Sequence, residues 1–122
     1  MTALLVVLGG LVGAPTRYLT DQWVQTRRDS IVPWGTFVVN VTGSFILGLV
    51  AGAAYGAGLP SWALTLVGTG FCGALTTFST FGYETWRLIE TGNYRAATFN
   101  VVTSLAAGLA ASALGWVIGT AL

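Results

Sequence analysis

Between Gly73 and Phe81 the sequence reads Gly-Ala-Leu-Thr-Thr-Phe-Ser-Thr-Phe, which sets four hydroxyl residues (Thr76, Thr77, Ser79, Thr80) among two phenylalanines, Phe78 and Phe81. Two other stretches repeat the polar theme. Thr36, Asn40 and Ser44 recur every four residues, and so share one face of a helix, as do Asn100 and Ser104, with Thr103 beside them. None of these residues forms a nucleophile and base pair. With no histidine and only four acids in the chain, enzymatic acyl or phosphoryl transfer has no machinery. The single cysteine, Cys72, excludes an intrachain disulfide and a thiolate metal site. Hydroxyls, amide N–H groups and electropositive ring edges can instead replace the hydration shell of a small, strongly hydrated anion. The same residues could also serve as hydrogen-bonded glue between helices, or bond back to their own helix carbonyls.

The elements that must position them are membrane helices. Charged residues make up 7% of the chain and apolar ones 54%, whereas soluble domains carry about 25% charge. So few charges cannot cover the surface of a small soluble domain, so lipid is the solvent. The spacing predicts four spans, Ala3 to Trp23, Pro33 to Ala57, Trp62 to Trp86 and Ala96 to Ala121, with all 122 residues forming one four-helix transmembrane domain. The tryptophans Trp23, Trp34, Trp62 and Trp86 mark span ends, as interfacial belts do, and Trp116 fits less closely. Short connections, Val24 to Val32 (with Asp29), Gly58 to Ser61 and Arg87 to Arg95, make neighbouring spans antiparallel. Pro15, Thr16 and Arg17 predict a kink or water-facing turn in the first span. Glycine pairs at four-residue spacing (Gly9 and Gly13; Gly48, Gly52 and Gly56; Gly115 and Gly119) predict close helix packing. The third span carries Gly68, Gly70 and Gly73 and then the hydroxyl run, so a break is expected there; backbone of that kind is tolerated at membrane depth only in protein or beside a wet cavity. The opening Met1-Thr2-Ala3 lacks the basic region of a cleaved signal peptide.

The stretches Gly35-Thr36-Phe37-Val38-Val39-Asn40-Val41-Thr42-Gly43-Ser44-Phe45 and Gly70-Phe71-Cys72-Gly73-Ala74-Leu75-Thr76-Thr77-Phe78-Ser79-Thr80-Phe81 resemble the two signatures of the CrcB/Fluc fluoride channels. Gly9-Gly10, Gly13-Ala14 and Arg17-Tyr18 resemble that family's opening motif, so the likeness covers the whole chain. The resemblance implies an all-α fold of four transmembrane helices, the third broken near mid-membrane, assembled as an antiparallel dimer with two fluoride pores. It implies a structural sodium ion at the dimer centre, held by the backbone carbonyls of Gly73 and Ala74. By the same likeness, Phe78 and Phe81 line the pore, Asn40 faces it, and Thr77 and Ser79 supply hydroxyls at the break. Glu84 matches a pore-associated acid, Arg17 a vestibule arginine, and Thr36 and Ser104 further polar positions along the path. Asn100 stands where several relatives carry tyrosine, and Ala74 where some carry a larger residue. The function implied is fluoride efflux from the cytoplasm down its electrochemical gradient, which confers fluoride resistance on a microbial cell.

Charge adds something the motifs do not. All five arginines fall on the side of the first and third connections, while the second connection and both tails hold no Lys or Arg. The positive-inside rule then places both termini outside a plasma or inner membrane. A homodimer that inserts both ways needs balanced charge, so the count favours a paired homologue of opposite bias as the dimer partner. Besides that subunit, the expected partners are fluoride and the lipid bilayer, and no nucleic acid. A proton-coupled small multidrug exporter is a rival of the same size, but it needs a membrane-embedded glutamate in its first helix, and the first span has none. A non-transporting membrane assembly subunit is the second rival, and it predicts no flux.

Overall fold

The computed structural model describes residues 1–28 and 30–122; Asp29, assigned from the sequence to the first connection, lies outside the described residues. Helix α1 covers Thr2–Arg27 and α2 covers Trp34–Gly56. The third span, Ser61–Glu90, is composite. It opens with α3 (Ser61–Ala63), continues as a π-helix over Leu64–Cys72, returns to α geometry in α4 (Gly73–Leu75), and resumes after Phe78 as α5 (Ser79–Glu90). Helix α6 covers Tyr94–Thr120. These four stretches are long and apolar enough to cross a membrane, and they include all four spans expected from the sequence apart from one or two terminal residues. Helical turns continue across Pro15, where the sequence predicts a kink or turn. Proline cannot donate to the Leu11 carbonyl, and next to it Thr16 Oγ1 donates to the Val12 carbonyl at 2.6 Å.

Little of this surface is covered by the chain itself. In the most apolar window of α6, mean hydropathy is 1.9 and only 6% of the residues are buried, so an apolar medium must meet the rest. What holds the helices together is close backbone approach. Gly48 and Gly52 on α2 meet the carbonyls of Ser112 and Trp116 on α6, while Gly115 and Gly119 on α6 meet those of Phe45 and Leu49 on α2. On the other flank, Gly9 and Gly13 of α1 lie against the backbone of the π-helix at Leu66 and Phe71. The glycine pairs legible in the sequence are therefore contact points between backbones, as small residues are in bilayers, where lipid tails supply no hydrophobic drive for helix association. A side chain at Gly119 would place its Cβ 2.7 Å from Ala53 N and against the Leu49 carbonyl, both immovable backbone atoms. Gly119→Val is expected to destabilise the α2/α6 pair by about 3 kcal/mol, read as a lowered midpoint of thermal unfolding in detergent.

Two turns close the bundle. After α5, Gly92 has φ +80°, a left-handed conformation that residues with a Cβ enter at a cost. Its N–H donates to the Ile89 carbonyl and that of Asn93 to the Leu88 carbonyl, so the orphan carbonyls at the end of α5 are satisfied as in a Schellman cap. Gly58, with φ +72°, turns the chain between α2 and the third span.

Candidate functional site

The third span changes character at the hydroxyl run. Thr76 takes an extended conformation (φ −84°, ψ 157°), which ends α4 and leaves Thr76, Thr77 and Phe78 between two helices. Each backbone group freed there needs a partner in protein or a wet cavity, because lipid offers none. Asn40 on α2 supplies two: its Nδ2 donates to the Thr77 carbonyl at 3.0 Å and its Oδ1 accepts the Thr77 N–H at 2.8 Å. Thr77 Oγ1 in turn accepts the N–H of Thr80 at 3.1 Å, satisfying a donor in the first turn of α5. Thr76 turns its hydroxyl back to the Cys72 carbonyl at 2.9 Å. Gly43 allows α2 to come this close, since a Cβ there would overlap the Thr76 methyl.

Three carbonyls of α4 and the residue after it have a separate fate. Ala74 O accepts from Arg17 Nε of α1 at 3.2 Å. With Thr77 N–H turned to Asn40 and Thr80 N–H turned to Thr77 Oγ1, the carbonyls of Gly73 and Thr76 have no hydrogen-bond partner among the described residues. No group of three or more His, Cys, Asp or Glu able to hold a metal occurs among those residues. The available donor set is thus uncharged backbone oxygen, which suits a hard monovalent cation.

Beside the junction lies a groove of about 520 Å³, lined by Asn40, Thr77, Phe78, Phe81 and Ser104 together with apolar residues such as Leu47 and Leu105. The Ser104 hydroxyl is buried with no hydrogen-bond partner. Asn40 has a second amide proton beyond the one given to Thr77. The Phe78 and Phe81 rings stand 6.0 Å apart at 44°, and Phe78 is 83% exposed, so one side of the groove is open in a single chain. No lining residue carries a charge.

The remaining residues singled out from the sequence do not line this groove. Ser79 Oγ is 3.4 Å from Thr77 Oγ1, on the exposed side of the junction. Thr36 and Glu84 are joined to each other, the buried Thr36 hydroxyl donating to Glu84 Oε1 at 2.6 Å, one turn along α5 from Phe81. Glu84 lines a separate hollow with Arg87 and Pro33. Arg17 reaches α4 instead of the groove. Three participants were not singled out by sequence reasoning. The Thr76 carbonyl and the Thr85 hydroxyl, which donates to the carbonyl of the groove residue Phe81 at 2.8 Å, are roles that depend on which hydrogen bonds form, and residue type does not announce them. Asp21, whose Oδ1 is buried without a hydrogen-bond partner and lies against Gly35, could have been found from its place near the end of an apolar span.

Four spans long and apolar enough to cross a membrane, around an uncharged groove that carries a few polar groups, fit an integral membrane protein. The chain belongs to the family described as CrcB-like protein, Camphor Resistance (CrcB), whose model matches residues 4–116. It is 54% identical to the fluoride-specific ion channel FluC 1 of Frankia casuarinae, over 100% of this chain and 98% of that one. It is 57% identical to FluC 1 of Streptomyces avermitilis, over 94% of this chain and 93% of the relative. With the fluoride-specific ion channel FluC of Acidobacterium capsulatum, identity is 44% over 98% and 96% of the two chains.

Proposed function

We propose that this chain is a subunit of a fluoride channel and no enzyme, and that fluoride leaves the cytoplasm through it down the electrochemical gradient. The observation that carries this reading is the groove: Ser104 presents a buried hydroxyl without a partner, beside the Asn40 amide and the Phe78 and Phe81 rings. A fluoride ion sheds water only where donors replace it. The hydroxyls of Ser104 and Thr77, the second Asn40 N–H and the positive ring edges are such donors. Because the groove carries no positive charge, each contact holds the ion weakly enough to let it move on, as conduction requires. Relatives that share most of this sequence bear the name fluoride-specific ion channel.

The third span functions, in this reading, as a helix broken near mid-membrane, and the open side of the groove is closed by a second subunit in an antiparallel dimer. The carbonyls of Gly73 and Ala74, with that of Thr76, would hold a structural sodium ion between the two subunits. Arg17 already occupies one lone pair of Ala74 O, whereas Gly73 O and Thr76 O, like Leu75 O, have no competing donor among the described residues. A bound sodium ion supplies fixed positive charge at the junction, which ties two such chains together. The arginine bias favours a paired homologue as the second subunit and both termini outside the cell membrane. Labelling of tagged termini on intact cells checks this, and equal labelling on both membrane faces would instead establish a homodimer inserted both ways.

The function is tested by fluoride efflux from liposomes holding the purified chain, alone and with a neighbouring homologue. Fluoride flux that follows its gradient, with chloride held back and no accompanying proton movement, is the expected result. No flux in either preparation would favour the non-transporting assembly subunit; proton-coupled flux would favour an exporter.

A further inference from the structure

Asn100 is one of only two large side chains on α6 and α2 that are almost wholly buried, with 2% of its surface exposed, and the groove does not use it. An amide at that position is costly unless its groups are bonded. Asn100 Nδ2 donates to Thr85 Oγ1 on α5 at 2.9 Å, and Thr85 Oγ1 donates to the Phe81 carbonyl at 2.8 Å. A threonine hydroxyl has one proton, and here it goes to Phe81, so the group facing it from Asn100 must be the donating amide nitrogen. The chain of bonds therefore has a direction, from α6 through α5 to the backbone of a residue that lines the groove.

We propose that Asn100 is a positioning residue, which acts through Thr85 to fix the Phe81 backbone and with it the angle of the Phe81 ring to the fluoride path. The proposal rests on the channel reading for its functional consequence and on the hydrogen bonds alone for its structural one. Two features of α5 support the coupling. Helix α5 begins just after the junction, so the first N–H groups of α5 have no preceding helical turn to bond. A threonine hydroxyl bonded to the carbonyl four residues back also bends a helix locally, and Asn100 holds that hydroxyl in place. An alternative in which Asn100 is bonded only to satisfy itself would leave Phe81 indifferent to its replacement.

Asn100→Leu separates the two. It keeps the volume but offers no donor, so Thr85 Oγ1 loses the group that holds it on the Phe81 carbonyl. Thr85→Val removes the relay at nearly constant volume, and Thr85→Ser keeps it. The assembly that conducts as wild type is reconstituted with each variant, and fluoride flux and the fluoride-to-chloride ratio are measured. In parallel, 4-fluorophenylalanine at position 81 reports the ring environment by 19F NMR. Expected are a roughly tenfold fall in fluoride flux and a moved 19F resonance for Asn100→Leu and for Thr85→Val, no further fall in the double variant, and near wild-type behaviour of Thr85→Ser. Unmoved 19F resonances, additive losses, or equal damage from Thr85→Ser and Thr85→Val would overturn the proposal. If the unsubstituted protein passes no fluoride, the channel reading fails, and the 19F comparison still decides whether Asn100 sets Phe81.

Discussion

Asn40→Leu is expected to abolish fluoride flux and to lower stability by about 2 to 6 kcal/mol, the cost of leaving two backbone groups buried without partners. The size follows from the pairing at the junction. Asn40 accepts the Thr77 N–H at 2.8 Å and donates to the Thr77 carbonyl at 3.0 Å, so one side chain supports both polar groups of the central residue between α4 and α5. In water such groups would find solvent; within a bilayer they would not. Leucine matches the volume and offers neither partner. The junction would then either close into continuous helix, returning Thr77 N–H to the Gly73 carbonyl, or open to water. Both outcomes move Phe78 and Phe81. Asn40→Asp is the informative companion, since it keeps the acceptor for Thr77 N–H and loses the donor for Thr77 O. It should fall between wild type and leucine in thermal unfolding. Wild-type stability of Asn40→Leu, with flux lost, would show that Asn40 serves the ion alone and leaves the junction to other groups.

Much of this was legible in the sequence, for reasons that differ by element. The four spans follow from composition and length, since few charges and runs of about 20 apolar residues leave no other assignment. The glycine pairs at Gly48, Gly52, Gly115 and Gly119 follow from spacing, and the structure places them at the α2/α6 contact. Asn40 was marked by its cost at that depth. What sequence could not supply is how Asn40 meets that cost. The type of the residue says that it needs partners, but both turned out to be backbone atoms of Thr77, a relation that no side-chain pattern encodes. The π-helical stretch Leu64–Cys72 was equally hidden, because one extra residue per turn is too small a change in period to register over nine residues. Pro15 shows the reverse, a strong local breaker that does not end α1, which runs on to Arg27. Arg17 was placed in a vestibule by likeness and is found donating to Ala74 O; an arginine's reach lets it serve places several residues from where its helix position points.

Replacing Phe78 and Phe81 together by isoleucine is expected to cut fluoride flux about a hundredfold, near tenfold for each ring, with little change in folding stability. The two halves of that expectation come from different observations. A ring edge carries partial positive charge that isoleucine lacks, and both rings line a groove whose remaining donors are a few hydroxyls and one amide. Removing the edges raises the cost of stripping water from the ion without narrowing the path. Stability should hardly respond, because Phe78 is 83% exposed in the single chain and isoleucine keeps most of the apolar surface that Phe81 buries. If the rings were packing elements and nothing more, the pattern would reverse: the unfolding midpoint would drop while flux per folded molecule stayed constant. The single variants sharpen the comparison. Phe78 is 83% exposed in the single chain, and in the proposed dimer the second subunit would cover it, so Phe78→Ile should lose flux and also weaken dimer association measured by dilution in detergent or lipid. Phe81 is partly enclosed by its own chain, and Phe81→Ile should lose flux with dimer association intact.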